Sequence, residues 1–117
     1  MIQHNLVFGG FYIHYKHNPE GEPGNYWYQV LNLSHLKDQD MTVVTYRPLY
    51  KSHVYKEGRH WDGKLLSDWM LPLPETVKVK ERYRLVVPGT AEHDQCIKLV
   101  QELYGEDEQA FYGLNMQ

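Results

Sequence analysis

Cysteine, long apolar runs and net charge are all scarce in this sequence. Cys96 is the only cysteine among 117 residues, so the chain cannot form an internal disulfide. This is typical of proteins from reducing compartments. No apolar run approaches the ~20 residues that cross a bilayer, and the N-terminal residues lack the basic start of a secretory signal. We therefore expect a cytoplasmic protein that has no membrane partner.

The charge balance is close to neutral. Twelve Lys and Arg stand against fifteen Asp and Glu, which gives a net charge of -3 and a pI near 6.1. Such a balance argues against a surface that coats nucleic acid, but it leaves room for a local basic patch. The hydrophobic fraction of 42% and the charged fraction of 23% are ordinary for a folded chain. We expect residues 1–117 to form a single domain.

Motifs that mark catalytic, metal and cofactor sites are also missing. The chain has no H-E-x-x-H, no paired C-x-x-C, no G-x-S-x-G and no glycine-rich phosphate loop. Its seven histidines are scattered, and Cys96 falls in an apolar pattern that is typical of a packing thiol. We therefore predict no catalytic residue, no metal and no cofactor. A hydrolase that uses His60 and Asp62 is the least favoured interpretation.

Aromatic residues, in contrast, are abundant: the chain has ten Tyr, three Trp and three Phe. Many of them lie in segments that alternate between apolar and polar residues or are rich in β-branched side chains, as strands are. Pro and Gly separate these segments. The pattern predicts strands over residues 10–17, 26–33 and 41–47, followed by short strands or a helical turn over 49–75.

The C-terminal third predicts one more strand and a helix. Lys and Arg alternate with apolar residues over 76–87, which predicts a basic strand. A break at residues 88–89 follows, and Thr90 is suited to cap a helix over 90–105. Residues 106–117 then form an acidic and aromatic tail.

Strands first and one helix last favour a mainly β fold: a small antiparallel sheet curled into a barrel over residues 10–75, with a C-terminal helix. Three segments, Gly10-Phe-Tyr-Ile-His-Tyr-Lys16, Tyr28-Gln-Val-Leu31 and Val43-Val-Thr-Tyr-Arg-Pro-Leu-Tyr50, resemble the bacterial domain of unknown function 1653 family. The resemblance covers roughly residues 10–73 and implies an SH3-like β-barrel used for binding. It implies no activity, because the family is uncharacterised.

Aromatic and basic residues, most of them in the resembling segments, form the first candidate site. Rings beside guanidinium or ammonium groups are suited to stack on a base while the cation holds a phosphate or carboxylate. The alternative is that several of these rings fill the core of the barrel. The candidates are Lys16, Tyr46, Arg47, Tyr50, Trp61 and Trp69.

The second candidate site is a basic stripe on the strand predicted over 76–87. Cations at alternate positions would share one face of a strand and match successive phosphates of a nucleic acid. The alternative is a solvated edge strand whose charges pair with Glu102 and the acids at 106–108. The stripe consists of Lys78, Lys80, Arg82 and Arg84.

Together these features favour a non-catalytic binding module that recognises an anionic, base-containing ligand, either RNA or a small nucleotide. Cations and stackable rings occur together in a chain without a visible catalytic set, which is why this interpretation is preferred. The alternative is a protein-interaction or homo-oligomerisation module that takes no small ligand.

Overall fold

A computed structural model describes residues 6–53, 61–79 and 81–105. Five strands form one antiparallel sheet: β1 (Phe11–His14), β2 (Trp27–Leu36), β3 (Met41–Pro48), β4 (Asp62–Leu65) and β5 (Tyr83–Leu85). Their order across the sheet is β4-β3-β2-β1-β5. Two α-helices and a 3₁₀ turn are also present: α1 (Leu66–Trp69), α2 (Ala91–Tyr104) and the turn Lys51–His53.

The alternation of side chains along each strand divides the sheet into two faces. On one face, Phe11, Ile13 and Trp27 pack against α2, which contributes Cys96 and Val100. We call this the helix face. The opposite face, which we call the tyrosine face, carries a second buried cluster: Tyr12, Val30, Val44, Leu66 and Trp69.

Helix α2 begins and ends where the sequence predicts. Thr90 Oγ1 accepts a hydrogen bond from the backbone N–H of His93 at 3.2 Å, and Gly105 ends the helix in the left-handed conformation with φ 65°. The helix predicted over 90–105 is therefore confirmed. Helix α2 has 14 residues, and none of the described helices is long and apolar enough to cross a membrane.

The mainly β fold with a C-terminal helix is confirmed, but the predicted barrel does not close. Strands β4 and β5 are the two edges of the sheet, and no backbone ladder joins them in the described chain. The reason is the length of β5. The strand predicted over 76–87 shortens to three residues, after a turn at 75–76 and an irregular stretch at 77–79.

Side chains bridge the gap between the two edges. Tyr83 of β5 stacks on Trp69, which ends α1 directly after β4, with ring centroids 3.7 Å apart and planes 4° from parallel. The ammonium group of Lys64, on β4, donates a hydrogen bond to the Tyr83 hydroxyl at 3.2 Å. Because these contacts bring both edges together over the tyrosine face, the sheet is curled and that face is concave.

The loop before β2 packs closely at Gly24, which allows a stability test. A β-carbon at Gly24 (φ 76°) would collide with the carbonyl oxygen of Leu49 and lie 2.8 Å from Leu99 Cδ1, whereas one at Gly89 (φ 87°) would meet no atom within 4 Å. We predict that Gly89→Ala costs about 1 kcal/mol for left-handed backbone alone. Gly24→Ala should cost at least about 1 kcal/mol more, because backbone must shift. Urea unfolding measures both losses, and equal losses would contradict the close packing.

Candidate ligand-binding cleft

Four tyrosines converge at one end of the tyrosine face. Tyr28 and Tyr46 project half-buried from β2 and β3. The ladder pairs Tyr28 with Pro48. Tyr26 directly precedes β2 and Tyr50 follows β3, and the centroids of their two rings lie 6.2 Å apart. The two paired strands and the residues that flank them thus bring the four rings together.

A cavity of about 400 Å³ lies among these rings. Strand β4 adds Asp62, which is the ladder partner of Tyr46, and the 3₁₀ turn adds the exposed His53. The volume falls within the about 300–1,000 Å³ that is typical of small-ligand sites. We call this cavity the tyrosine cleft, and its lining residues are Tyr26, Tyr28, Tyr46, Pro48, Tyr50, His53 and Asp62.

The rings of the tyrosine cleft meet at steep angles and hold one another in place. The Tyr28 ring stands at 87° to Tyr46 and at 73° to Tyr50, with centroid distances of 5.2 and 5.9 Å. The hydroxyl groups of Tyr28 and Tyr50 share a hydrogen bond of 3.0 Å. Edge-to-face packing and this bond fix the rings before a ligand arrives, which lowers the entropy cost of binding.

The hydroxyl groups of Tyr28 and Tyr50 are neutral, and the negative charge near them comes from carboxylates. Burial raises the pKa of both Tyr28 and Tyr50. Among the smaller contributions, the hydrogen bond to Tyr50 raises the pKa of Tyr28 further. The carboxylates of Asp62 and Glu22 likewise raise the pKa of Tyr50, because negative charge opposes ionisation of a phenol.

Of the six residues predicted to bind a ligand, Tyr46 and Tyr50 line the tyrosine cleft. Arg47 does not, and its assignment to the ligand surface is wrong. It alternates with Tyr46 along β3, so it points to the helix face, where it is fully buried. Its Nε donates to Gln29 Oε1 at 3.0 Å, and its guanidinium carbon lies 4.2 Å from the centre of the Tyr104 ring. Arg47 is therefore a core residue.

The other three predicted ligand residues also lie outside the cleft lining. Trp69 is only 4% exposed and is covered by Tyr83, as the alternative of core packing predicts. Lys16 follows β1, and its Nζ lies 6.0 Å from the centre of the Tyr15 ring. Trp61 is 48% exposed immediately before β4. The structure thus brings two of the six predicted residues together.

The predicted basic stripe does not form along one strand. Lys78 is exposed in the irregular stretch before β5, and Lys80 lies outside the described residues. Arg82 precedes β5, and its Nε donates to the backbone carbonyl of Leu71 at 3.1 Å. A row of cations at strand spacing requires a continuous strand, and the described part of residues 76–87 forms a strand only at Tyr83–Leu85.

The fourth member of the stripe, Arg84, is held by an acid of α2. It forms a two-point ion pair with Glu92, with N···O distances of 2.8 and 3.1 Å. Arg84 is therefore paired with an acid, as the alternative interpretation of the stripe predicts, but the acid is Glu92 and not Glu102. The acids at 106–108 lie outside the described residues. Arg84 is not available to a phosphate without breaking this pair.

Several residues of the cleft are absent from the predicted set. Tyr26, Tyr28 and His53 were not assigned to a site, and Asp62 enters the prediction only as an acid for hydrolysis. The sequence does indicate that Tyr28 and Tyr46 lie together. If the predicted strands over 26–33 and 41–47 pair antiparallel, the start of the first lies beside the end of the second, and both tyrosines can then share one face. The position of Asp62 depends on β4, for which the sequence offers no clear pattern.

The metal-binding and nucleophilic groups of the described residues are not gathered into a site. Within residues 6–53, 61–79 and 81–105, no group of three or more His, Cys, Asp or Glu side chains could hold a metal. Cys96 is fully buried, and burial raises the pKa of its thiol to about 12. Ser52 Oγ and His53 Nδ1 lie 3.0 Å apart, but both residues are exposed. His60 lies outside the described residues.

His14 is a buried histidine at the end of β1, on the tyrosine face. Its ring stacks at 5.5 Å from Tyr26, and its Nδ1 accepts a hydrogen bond from the backbone N–H of Lys16 at 3.2 Å. Burial, and then the charges of Lys64, Arg82 and Lys16, lower the pKa of His14 to about 4. The ring is therefore neutral at physiological pH.

This shift predicts a dependence of stability on pH. The unfolded chain takes up the proton near pH ~6.5 and the folded chain only near pH 4, so the contribution of His14 is complete above pH ~6.5 and is lost as the pH falls to 4. The loss should be on the order of 3 kcal/mol. His14→Asn should flatten this slope in urea unfolding between pH 7 and 4, and His35→Asn, at an exposed histidine, should keep it. An NMR titration of His14 near pH 6.5 would contradict the shift.

Comparison of this chain with models of protein families, with curated proteins and with solved structures finds no match. The resemblance to the domain of unknown function 1653 family therefore stays a prediction. The geometry of the tyrosine cleft is the basis on which a function can be assigned to the protein.

Proposed function

We propose that the protein is a non-catalytic binding module whose ligand presents a base to the rings of the tyrosine cleft. The proposal rests on one observation: four tyrosine rings converge around a cavity of about 400 Å³. The face of an aromatic side chain accepts the π-face of any base, and such stacking contributes about 1–3 kcal/mol per base. Rings that are already fixed by their neighbours add to this gain, because little side-chain freedom is lost on binding.

The charges around the cleft favour recognition of the base rather than of a phosphate. Arg47 lies on the helix face and Arg84 is paired with Glu92, so two of the cations predicted to hold an anion are engaged elsewhere. Of the described residues that line the cleft, Asp62 is the acid, and none is Lys or Arg. A nucleoside, or an unstacked base of a single-stranded RNA, therefore fits the proposal better than a ligand held by its phosphates.

Tyr26 is the wall of the cleft that a substitution can remove most cleanly. It is 38% exposed, and its φ of 60° lies in the left-handed region, which asparagine adopts more readily than tyrosine. Tyr26→Asn therefore deletes a ring without straining the backbone. Tyr15→Asn is a matched control, because it removes a half-buried ring that is not part of the cleft lining.

We expect at least one of adenosine, cytidine, guanosine and 7-methylguanosine, at millimolar concentration, to raise the Tm and to shift the ring NMR signals of Tyr28 and Tyr46. Tyr26→Asn should weaken this binding about tenfold, because one stacking partner is lost. The Tm of the free variant should be unchanged or higher. Tyr15→Asn should bind like the unaltered protein. Unshifted signals with all four compounds, or equal weakening by both variants, would argue against the cleft as a base-binding site.

A further inference from the structure

We propose that the ligand of the tyrosine cleft carries its positive charge on a methylated nitrogen, as in a quaternary ammonium group or an N-methylated base, and that Asp62 is its counter-charge. This inference rests on the proposed function, because it names the chemical class of the ligand for that same cleft. Three features carry it: the angles between the rings, the distribution of charge over the tyrosine face, and the hydrogen bond between two hydroxyl groups of the cleft.

The rings of the cleft form walls that face different directions. Tyr28 stands close to perpendicular to both Tyr46 and Tyr50, whereas Tyr26 and Tyr50 are only 23° from parallel. The face of each ring carries negative electrostatic potential, which attracts a cation within about 6 Å of the ring centre. A compact cationic group can contact several such walls at once, while a neutral flat base gains only from the one or two rings that lie parallel to it.

Two carboxylates, those of Asp62 and Glu22, act on Tyr50 of the cleft. Asp62 lines the cleft from β4, directly opposite Tyr46 in the ladder. Glu22 lines a different cavity, together with Leu99 of α2, and its Oε2 accepts a hydrogen bond from the backbone N–H of Ser52 at 3.0 Å. The charge of each acid reaches the Tyr50 hydroxyl. A cation in the cleft is therefore attracted by carboxylates as well as by ring faces.

The positive groups of the tyrosine face act around His14 instead. Lys64 donates its ammonium hydrogen bond to Tyr83, although it lies only two residues from Asp62 along β4. Arg82 and Lys16 lie over the Tyr15 ring, with their charged ends 5.7 and 6.0 Å from its centre. None of these three cations is among the residues that line the tyrosine cleft. The face therefore has a negative end at the cleft and a positive end beside β5.

Methylation of the cation follows from the hydrogen bonding of the cleft. The Tyr28 and Tyr50 hydroxyl groups share a hydrogen bond of 3.0 Å, which takes up one of the oxygen lone pairs that could otherwise accept from the N–H groups of a strongly hydrated primary ammonium. Such an ion would lose strongly bound water without full compensation. A methylated nitrogen has few or no N–H groups to satisfy, and its methyl groups present the charge to aromatic faces.

Two pairs of compounds, each differing mainly in charge, test the inference on the unaltered 117-residue chain. Choline is compared with its neutral isostere 3,3-dimethylbutan-1-ol, and 7-methylguanosine is compared with guanosine, by NMR titration of the cleft tyrosines at low salt. We expect the charged member of at least one pair to bind about fivefold tighter or more. A preference in the choline pair supports a quaternary ammonium ligand, and one in the guanosine pair supports a methylated base.

Variants at two acids identify the counter-charge. Asp62→Asn should lower the affinity for the charged compound about fivefold and leave that for its neutral partner unchanged. Asp68→Asn, which removes an exposed acid of α1 outside the cleft, should leave both affinities unchanged. Equal effects of the two variants would overturn the assignment of Asp62 as the counter-charge. The comparison of each charged compound with its neutral partner uses the unaltered protein and does not depend on either variant.

The outcomes separate this inference from the proposed function. If guanosine shifts the cleft signals and no charged compound binds better than its neutral partner, the base-binding function stands and the cation is overturned. If adenosine or cytidine shifts the signals of the cleft tyrosines and none of these four compounds does, the cation alone is overturned. If adenosine and cytidine leave the signals unshifted as well, both are overturned.

Discussion

The shape of the tyrosine face depends on the stack of Trp69 on Tyr83. A short open sheet has two free edges, and here one edge supplies Trp69 through α1 while the other supplies Tyr83 through β5. The two rings are close to parallel at 3.7 Å. Trp69 also contacts Tyr46 at 5.4 Å, so the contact that holds the edges together also positions one wall of the cleft. Ring packing thus takes the place of the missing backbone ladder.

The register of β2 and β3 decides which residues reach the cleft. Arg47 pairs with Gln29 across the ladder, and their side chains are hydrogen-bonded in the buried layer under α2, where Gln29 Nε2 also donates to the carbonyl of Gly9 at 3.0 Å. A slip of one residue would send Arg47 to the tyrosine face and Tyr46 under the helix. The buried Arg47 opposes such a slip, because its guanidinium group would lose its hydrogen bond to Gln29 and its contact with the Tyr104 ring. The packing of the core therefore fixes which residues line the cleft.

Local signals explain which parts of the fold the sequence could predict. Three of the strands and α2, with its caps at Thr90 and Gly105, follow from periodicity and capping chemistry within each segment. The alternation of side chains along a strand also indicates, from sequence alone, that Tyr46 and Arg47 point to opposite faces of the sheet. The open sheet, the burial of Trp69 and the ion pair of Arg84 could not be read in this way, because each depends on a segment distant in sequence.

For the ligand that we propose, charge is a stronger basis of selection in the cleft than shape. Aromatic walls accept many groups that are flat or apolar, so differences in shape change the binding free energy only modestly. A carboxylate at a partly buried position, such as Asp62, distinguishes a cation from a neutral group more strongly, because nearby rings reduce the screening by water. Burial raises the pKa of Tyr28 and Tyr50, so their hydroxyl groups stay neutral and add no competing charge. A chain with a net charge of only -3 can therefore carry a selective site through one acid set among fixed rings.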